Sequence, residues 1–173
     1  GLILNDFCEE LSEALFPPLC LACSEVISGK AHEVFCPDCL RQITFITGSC
    51  CPVCGIVFPD SPAEDHLCGN CLERKPWFSS ARAAVAYDGI ILDAIHRFKY
   101  GRDITTGSAL STFLAGFKFE DMDFHLFDAI IPVPLHIKRL RERGFNQSII
   151  LSRALGKKHH LRVDFSLLKR CKL

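Results

Sequence analysis

Apolar residues recur along this chain at more than one period. Near the start, Leu4, Phe7, Leu11 and Leu15 form a helical stripe that includes Cys8, which reads as a core position, and a helix is expected over 1–17. From 18 to 75 no long period holds, and close pairs of cysteines replace it. Regular patterning resumes with "SARAAVAYD", Ser80–Asp88, which reads as a strand of small residues. "GIILDAIHRFKYG" reads as a helix with Ile91, Leu92, Ile95 and Phe98 on one face, and "TTGSALSTFLAGF" as another, opened by a threonine. "LFDAIIPVP", Leu126–Pro134, is an apolar run stopped by prolines, so a buried strand and then a loop are expected. "FNQSIILSRALGKK" returns to helical spacing through Phe145, Ile149, Ser152 and Leu155, and "LRVDFSLLKR" reads as a last strand. Strands alternating with helices predict an α/β domain with a mostly parallel sheet. In such sheets ligands bind beyond the carboxyl ends of the strands.

The cysteines change the picture of residues 18–75. Eight of the eleven form C-x2-C pairs, Cys20/Cys23, Cys36/Cys39, Cys51/Cys54 and Cys68/Cys71, separated by 12, 11 and 13 residues. This is knuckle spacing for four-thiolate zinc sites, and it occurs twice, about thirty residues apart, as an internal repeat. A double zinc ribbon is expected, with two structural zinc ions. Sequential pairing would group Cys20, Cys23, Cys36 and Cys39, then Cys51, Cys54, Cys68 and Cys71. A cross-braced pairing of alternate knuckles also fits the gaps, and Cys50 competes with Cys51 as a ligand. The rival reading, a disulfide framework, needs an oxidising compartment. The acidic opening "GLILNDFCEE" is a poor signal peptide and no apolar run reaches membrane-span length, so a cytoplasmic chain without membrane insertion is expected. Four thiolates close the coordination shell, so such zinc supports the fold and performs no chemistry.

Charge divides the chain in the same place. Residues 1–75 hold 4 Lys+Arg against 11 Asp+Glu, a net −7; residues 76–173 hold 16 against 9, a net +7. An acidic ribbon is a poor grip for phosphates. The cations instead concentrate in "PVPLHIKRLRERGFNQ", where Lys138, Arg139, Arg141 and Arg143 precede Gly144, Asn146 and Gln147. Arg139 and Arg143 share a face if the segment is helical. Arginine matches phosphate oxygens in pairs, and the helix that follows presents free amides and a positive dipole end. The segment therefore reads as a phosphate or pyrophosphate site after a buried strand. The alternative is a solvated basic turn.

The paired cysteines, "IHRFKYGRD" and "PVPLHIKRLRERGFNQSIILSRAL" together resemble the ComF family, over nearly the whole chain. The resemblance implies a protein of competence and DNA uptake, with the double ribbon at 18–75 and a type I phosphoribosyltransferase-like domain at 76–173. It implies a transferase of nucleoside metabolism that binds phosphoribosyl pyrophosphate with magnesium. Pro134–Gly144 would hold the pyrophosphate with Asn146, Gln147 and Lys99 nearby, and Leu167–Arg170 would begin a mobile loop. The family's phosphoribosyl motif has two acids, two further residues and then Thr-Thr-Gly, after an apolar strand. "DITTGS", Asp103–Ser108, has one acid and no such strand, and reads as a helix cap instead. The motif is thus expected past Leu173, with the domain incomplete and residues 1–173 inactive alone. The competing reading is a non-catalytic ribbon adaptor that binds single-stranded DNA or a DNA-uptake helicase.

Overall fold

The computed structural model describes residues 17–27, 34–58, 64–119 and 121–172. The expected helix over 1–17, with Cys8, lies outside the described residues except for Pro17.

The ribbon is built by one local recipe used twice. In the first knuckle the Cys20 N–H donates to the Glu25 carbonyl (2.8 Å), and Ser24 N–H returns to the Cys20 carbonyl (2.9 Å). In the second, Cys51 donates to Ile56 (2.9 Å) and Gly55 to Cys51 (2.9 Å). Antiparallel bridges Leu19–Val26 and Cys50–Val57 close the two turns. The residue after each second cysteine takes a left-handed backbone, Ser24 at φ 63° and Gly55 at φ 73°. Each repeat ends in a short helix whose N-cap is a cysteine: α1, Pro37–Leu40, follows Cys36, and α2, Gly69–Glu73, follows Cys68.

Ser80–Asp88 does not join a parallel sheet as a strand. It runs extended along the ribbon instead. Ala81 N–H donates to Val53 O (2.7 Å), Ile46 N–H to Ala84 O (3.1 Å) and Ala86 N–H to Thr44 O (2.8 Å), with one antiparallel bridge, Phe45–Val85. The small side chains permit this. Ala81 lies so close to the second knuckle that a Cβ on Gly55 would stand 2.5 Å from its carbonyl oxygen.

Helix α3 spans Gly89–Tyr100 and α4 spans Ile104–Gly116. Asp103 caps α4, accepting the Thr106 N–H (3.0 Å) and hydroxyl (2.6 Å), as the cap reading of "DITTGS" requires. A 3-10 turn at Phe124–Leu126 leads to β1, Ala129–Ile130; then come α5, Ile137–Arg143, α6, Gln147–His159, and β2, Arg162–Val163. β1 and β2 pair in parallel, Ala129 with Arg162 and Ile130 with Val163. The architecture is mixed α/β, and its sheet among the described residues is this two-stranded one.

One core joins the ribbon to the helices. Buried Ile27, Phe35 and Ile43 pack with ligand cysteines against Ile91 of α3, and Phe113 of α4 borders the same cluster. Arg97 of α3 donates to the Leu21 carbonyl inside the first knuckle. A second cluster, Ala94, Phe98 and Leu110, joins α3 and α4 to Phe145, Ile150 and Leu151. Gly107 permits the close crossing: a Cβ there would stand 2.2 Å from the Phe98 ring. Burying these side chains contributes about 1.5–3 kcal/mol each.

Candidate functional site

The thiols converge in the sequential grouping. Sγ atoms of Cys20, Cys23, Cys36 and Cys39 lie within 4.8 Å of one another, as do those of Cys51, Cys54, Cys68 and Cys71. Cys23–Cys36 measures 3.7 Å and Cys54–Cys68 3.6 Å. Four thiolates held tetrahedrally by zinc stand about 3.8 Å apart, given a Zn–S bond of about 2.3 Å. The donor set and its spacing fit zinc. Backbone amides prepare the sulfurs, as when Cys36 N–H donates to Cys20 Sγ (3.3 Å). Burial pushes the Cys20 thiol up, but the backbone donors of Cys23, Cys36 and Ala22 outweigh it and bring it down to about 6. Cys51 follows the same pattern, also to about 6. Burial and neighbouring thiols push Cys71 up to about 12 and raise Cys39 strongly. Without metal each cluster holds one acidic thiol and two reluctant ones, Cys23 and Cys39 in the first and Cys54 and Cys71 in the second; a dication stabilises all four as thiolates. Cys51 is fully buried, and the adjacent Cys50 belongs to neither quartet.

The basic segment folds as α5, which starts beyond the carboxyl end of β1. His136 caps it, and Gly144 ends it in the left-handed region, φ 83°. Asn146 then caps α6 by accepting the Ser148 N–H (3.0 Å), and its amide donates to Val133 O (3.0 Å). That bond ties the start of α6 to the loop leaving β1.

The cations of α5 divide. Lys138, Arg139 and Arg141 are exposed, and Arg139 pairs with Glu142 (3.0 Å). Such a surface pair contributes at most about 1 kcal/mol. Arg143 turns inward: its guanidinium lies 5.2 Å from the Tyr100 ring centroid, and Nη1 donates to Gln147 Oε1 (3.3 Å). Gln147 is 93% buried, at 7% relative exposure. Because Arg143 is purely a donor, the Gln147 oxygen must face it. The Gln147 amide nitrogen is then a buried donor with no acceptor among the described residues.

Lys99 is not brought to α5 by any of these contacts. Its ammonium stands 5.4 Å from the Tyr87 ring centroid. Tyr87 OH meets His96 Nε2 (3.1 Å), and His96 meets the Tyr100 ring edge-on (5.7 Å). Lys99, Tyr87, His96, Tyr100 and Arg143 thus form a cation–aromatic ladder leading to the basic helix, its rings exposed and its two cations half-buried. Arg102 fastens its foot, donating to Glu142 O (2.9 Å). Sequence reasoning missed Tyr87 and His96; the four-residue step from His96 to Tyr100 on one helix face was the available signal. A groove of about 610 Å³ under α5 is lined by Pro132, Leu140, Phe145 and Ile149, with Arg153 as its cation. Its lining is mostly apolar, with Asn146 and Arg153 as its polar members.

A family model described as "Double zinc ribbon domain" matches residues 11–72. "DNA utilization protein YhgH" of Escherichia coli O157:H7 is 31% identical over 159 residues, covering 89% of this chain and 67% of that protein. The chain belongs to the ComF family. "Competence protein ComFC" of Bacillus subtilis is 28% identical over 160 residues, covering 82% of this chain and 64% of its own length. "DNA utilization protein YhgH" of Shigella flexneri is 33% identical over 153 residues, covering 86% and 64%. This ComF chain therefore spans less than two thirds of the length of these two curated relatives. No solved structure matches it. No helix among its described residues is long and apolar enough to cross a membrane.

Proposed function

We propose that this ComF protein binds the pyrophosphate group of phosphoribosyl pyrophosphate at the junction of α5 and α6, in the competence and DNA-utilization role that its relatives' names carry. The observation that carries this reading is the buried Gln147 amide. A buried donor without an acceptor costs about 1–3 kcal/mol, and a phosphate oxygen would remove that cost. Arg143 beside it supplies charge, and the exposed Lys138, Arg139 and Arg141 draw anions toward the loop. In transfer of the ribosyl group to a nitrogen nucleophile, the C–O bond at the anomeric carbon breaks and pyrophosphate leaves with the electron pair. Arg143 and the loop amides would stabilise that charge, and magnesium would arrive with the substrate. The zinc ribbons serve as scaffold.

A second reading is a non-catalytic adaptor for single-stranded DNA. The exposed Tyr87 and Tyr100 favour it, since both lie beside cations and offer faces for bases. Calorimetric titration with pyrophosphate, then with an oligonucleotide, separates the two. The first reading expects pyrophosphate binding that falls at least tenfold in Gln147→Leu and in Arg143→Gln. Unchanged pyrophosphate affinity in Gln147→Leu would sink it. A uniform, salt-dependent loss of oligonucleotide binding in Lys138→Ala and Arg141→Ala would support the second.

A further inference from the structure

Outside the two quartets, three metal-ligating side chains meet from three separate segments. Cys50 comes from the start of the second knuckle, Asp65 from the approach to Cys68, and Asp121 from the turn before β1. One ligand atom of each lies within 4.8 Å of the other two. The Cys50 side chain is more than nine-tenths buried, and its sulfur has no hydrogen-bond partner among the described residues. A buried thiol aimed between two carboxylates is poorly satisfied as it stands.

We propose that Cys50, Asp65 and Asp121 form a third metal site, distinct from the two four-cysteine sites, which takes zinc or a similar thiophilic divalent ion and leaves a fourth position to water. A thiolate selects against magnesium and calcium, while carboxylates suit zinc. The charges balance. One thiolate and two carboxylates carry three negative charges, Arg82 beside Asp121 (3.5 Å) offsets one, and a dication offsets the other two. Around zinc, S–O separations are about 3.5 Å, so atoms already within 4.8 Å of one another need to close by at most roughly 1.3 Å. Part of the supporting shell is in place. Cys50 N–H donates to Asp65 Oδ1 (2.8 Å), which orients that carboxylate and leaves its other oxygen available. Arg82 is itself fixed by Pro52 O (3.0 Å) and Ala81 O (2.9 Å). An ion here would tie the second ribbon to the turn before β1, inside the basic half. With three protein ligands rather than four thiolates, it would exchange faster than the ribbon zincs.

The test is metal content of the purified full chain at fixed free zinc, with cobalt substitution beside it. The wild type should hold three equivalents, and Cys50→Ser and Asp121→Asn two each. The third equivalent should leave first to a chelator. As cobalt, it should add about a quarter of the thiolate charge-transfer intensity of each ribbon ion, because it has one sulfur rather than four. Two equivalents in the wild type would overturn the proposal. A third retained in both variants would also overturn it, marking an adventitious ion only. A Cys50→Ser protein with fewer than two would place Cys50 in a ribbon site and equally sink the idea. If Cys50→Ser fails to fold, Asp121→Asn decides alone, since it leaves every cysteine in place.

Discussion

Ser24 and Gly55 hold the same place in the two knuckles, at φ 63° and φ 73°, yet they should not be interchangeable. Gly55→Ser puts an L-residue in the left-handed region, at roughly 1–2 kcal/mol. It also sets a Cβ 2.5 Å from the Ala81 carbonyl oxygen, well inside contact distance. That oxygen belongs to the backbone, so the whole 81–86 segment must shift. The Ala81–Val53 bond (2.7 Å) and the Arg82–Pro52 bond (3.0 Å) lie nearest and would be strained or lost, at about 1 kcal/mol each. The expected destabilisation is about 2–4 kcal/mol. Ser24→Gly, which relieves strain and frees the unfolded chain, should stay within about 1 kcal/mol of wild type. Urea unfolding followed by circular dichroism at fixed free zinc measures both. The thermal midpoint of Gly55→Ser should fall by roughly 5–15 °C for a chain of this size. A Gly55→Ser protein within about 0.5 kcal/mol of wild type would refute the close approach of Ala81 and the docking of 81–86 on the ribbon.

Cys51→Ser should lose one of the two ribbon zinc equivalents, read by metal analysis, together with cooperative unfolding of the second knuckle, because Cys51 is fully buried. Phe98→Ala, at 2% exposure and packed against Gly107, should cost about 3–5 kcal/mol in denaturant unfolding. Asp103→Ala should cost about 1 kcal/mol at neutral pH, and Asp103→Asn much less. The Thr106 hydroxyl and N–H hold the Asp103 carboxyl below its usual value, so the unfolded chain takes up a proton first. The cap's contribution is therefore complete above about pH 4 and fades as pH falls through the lowered folded value. A wild-type minus Asp103→Ala difference that already changes between pH 7 and pH 5 would contradict this.

The C-x2-C spacing made the two cysteine quartets legible because each knuckle is closed by hydrogen bonds spanning five residues or fewer, Cys20 to Glu25 and Cys51 to Ile56. The cap of α4 was legible for the same reason, as Asp103 reaches only to Thr106. The strand expectation at Ser80–Asp88 failed in its partner. Alternating small residues indicate an extended backbone, yet they carry nothing that distinguishes a parallel sheet from the flank of a ribbon roughly thirty to forty residues earlier. The loop expected after the strand at Leu126–Pro134 is instead the helix α5, Ile137–Arg143, and the two arginines take different surroundings there: Arg139 pairs with Glu142 at the surface, and Arg143 turns to Tyr100 and Gln147.

Short-range chemistry, then, was determined by the sequence itself: zinc-type knuckles, helix caps, an acidic front and a basic back, and a cluster of cations behind an apolar strand. The tertiary structure alone decided which cation turns inward, that Gln147 is buried with a spare donor, that Lys99 sits over Tyr87, and that Cys50, Asp65 and Asp121 meet. Each of these depends on how the segments pack together, the helices through the clusters around Ile91 and around Phe98 and Phe145. Hydrophobic burial is non-directional. It states that such faces will be covered, and only the assembled packing settles which polar groups end up facing one another across the seam.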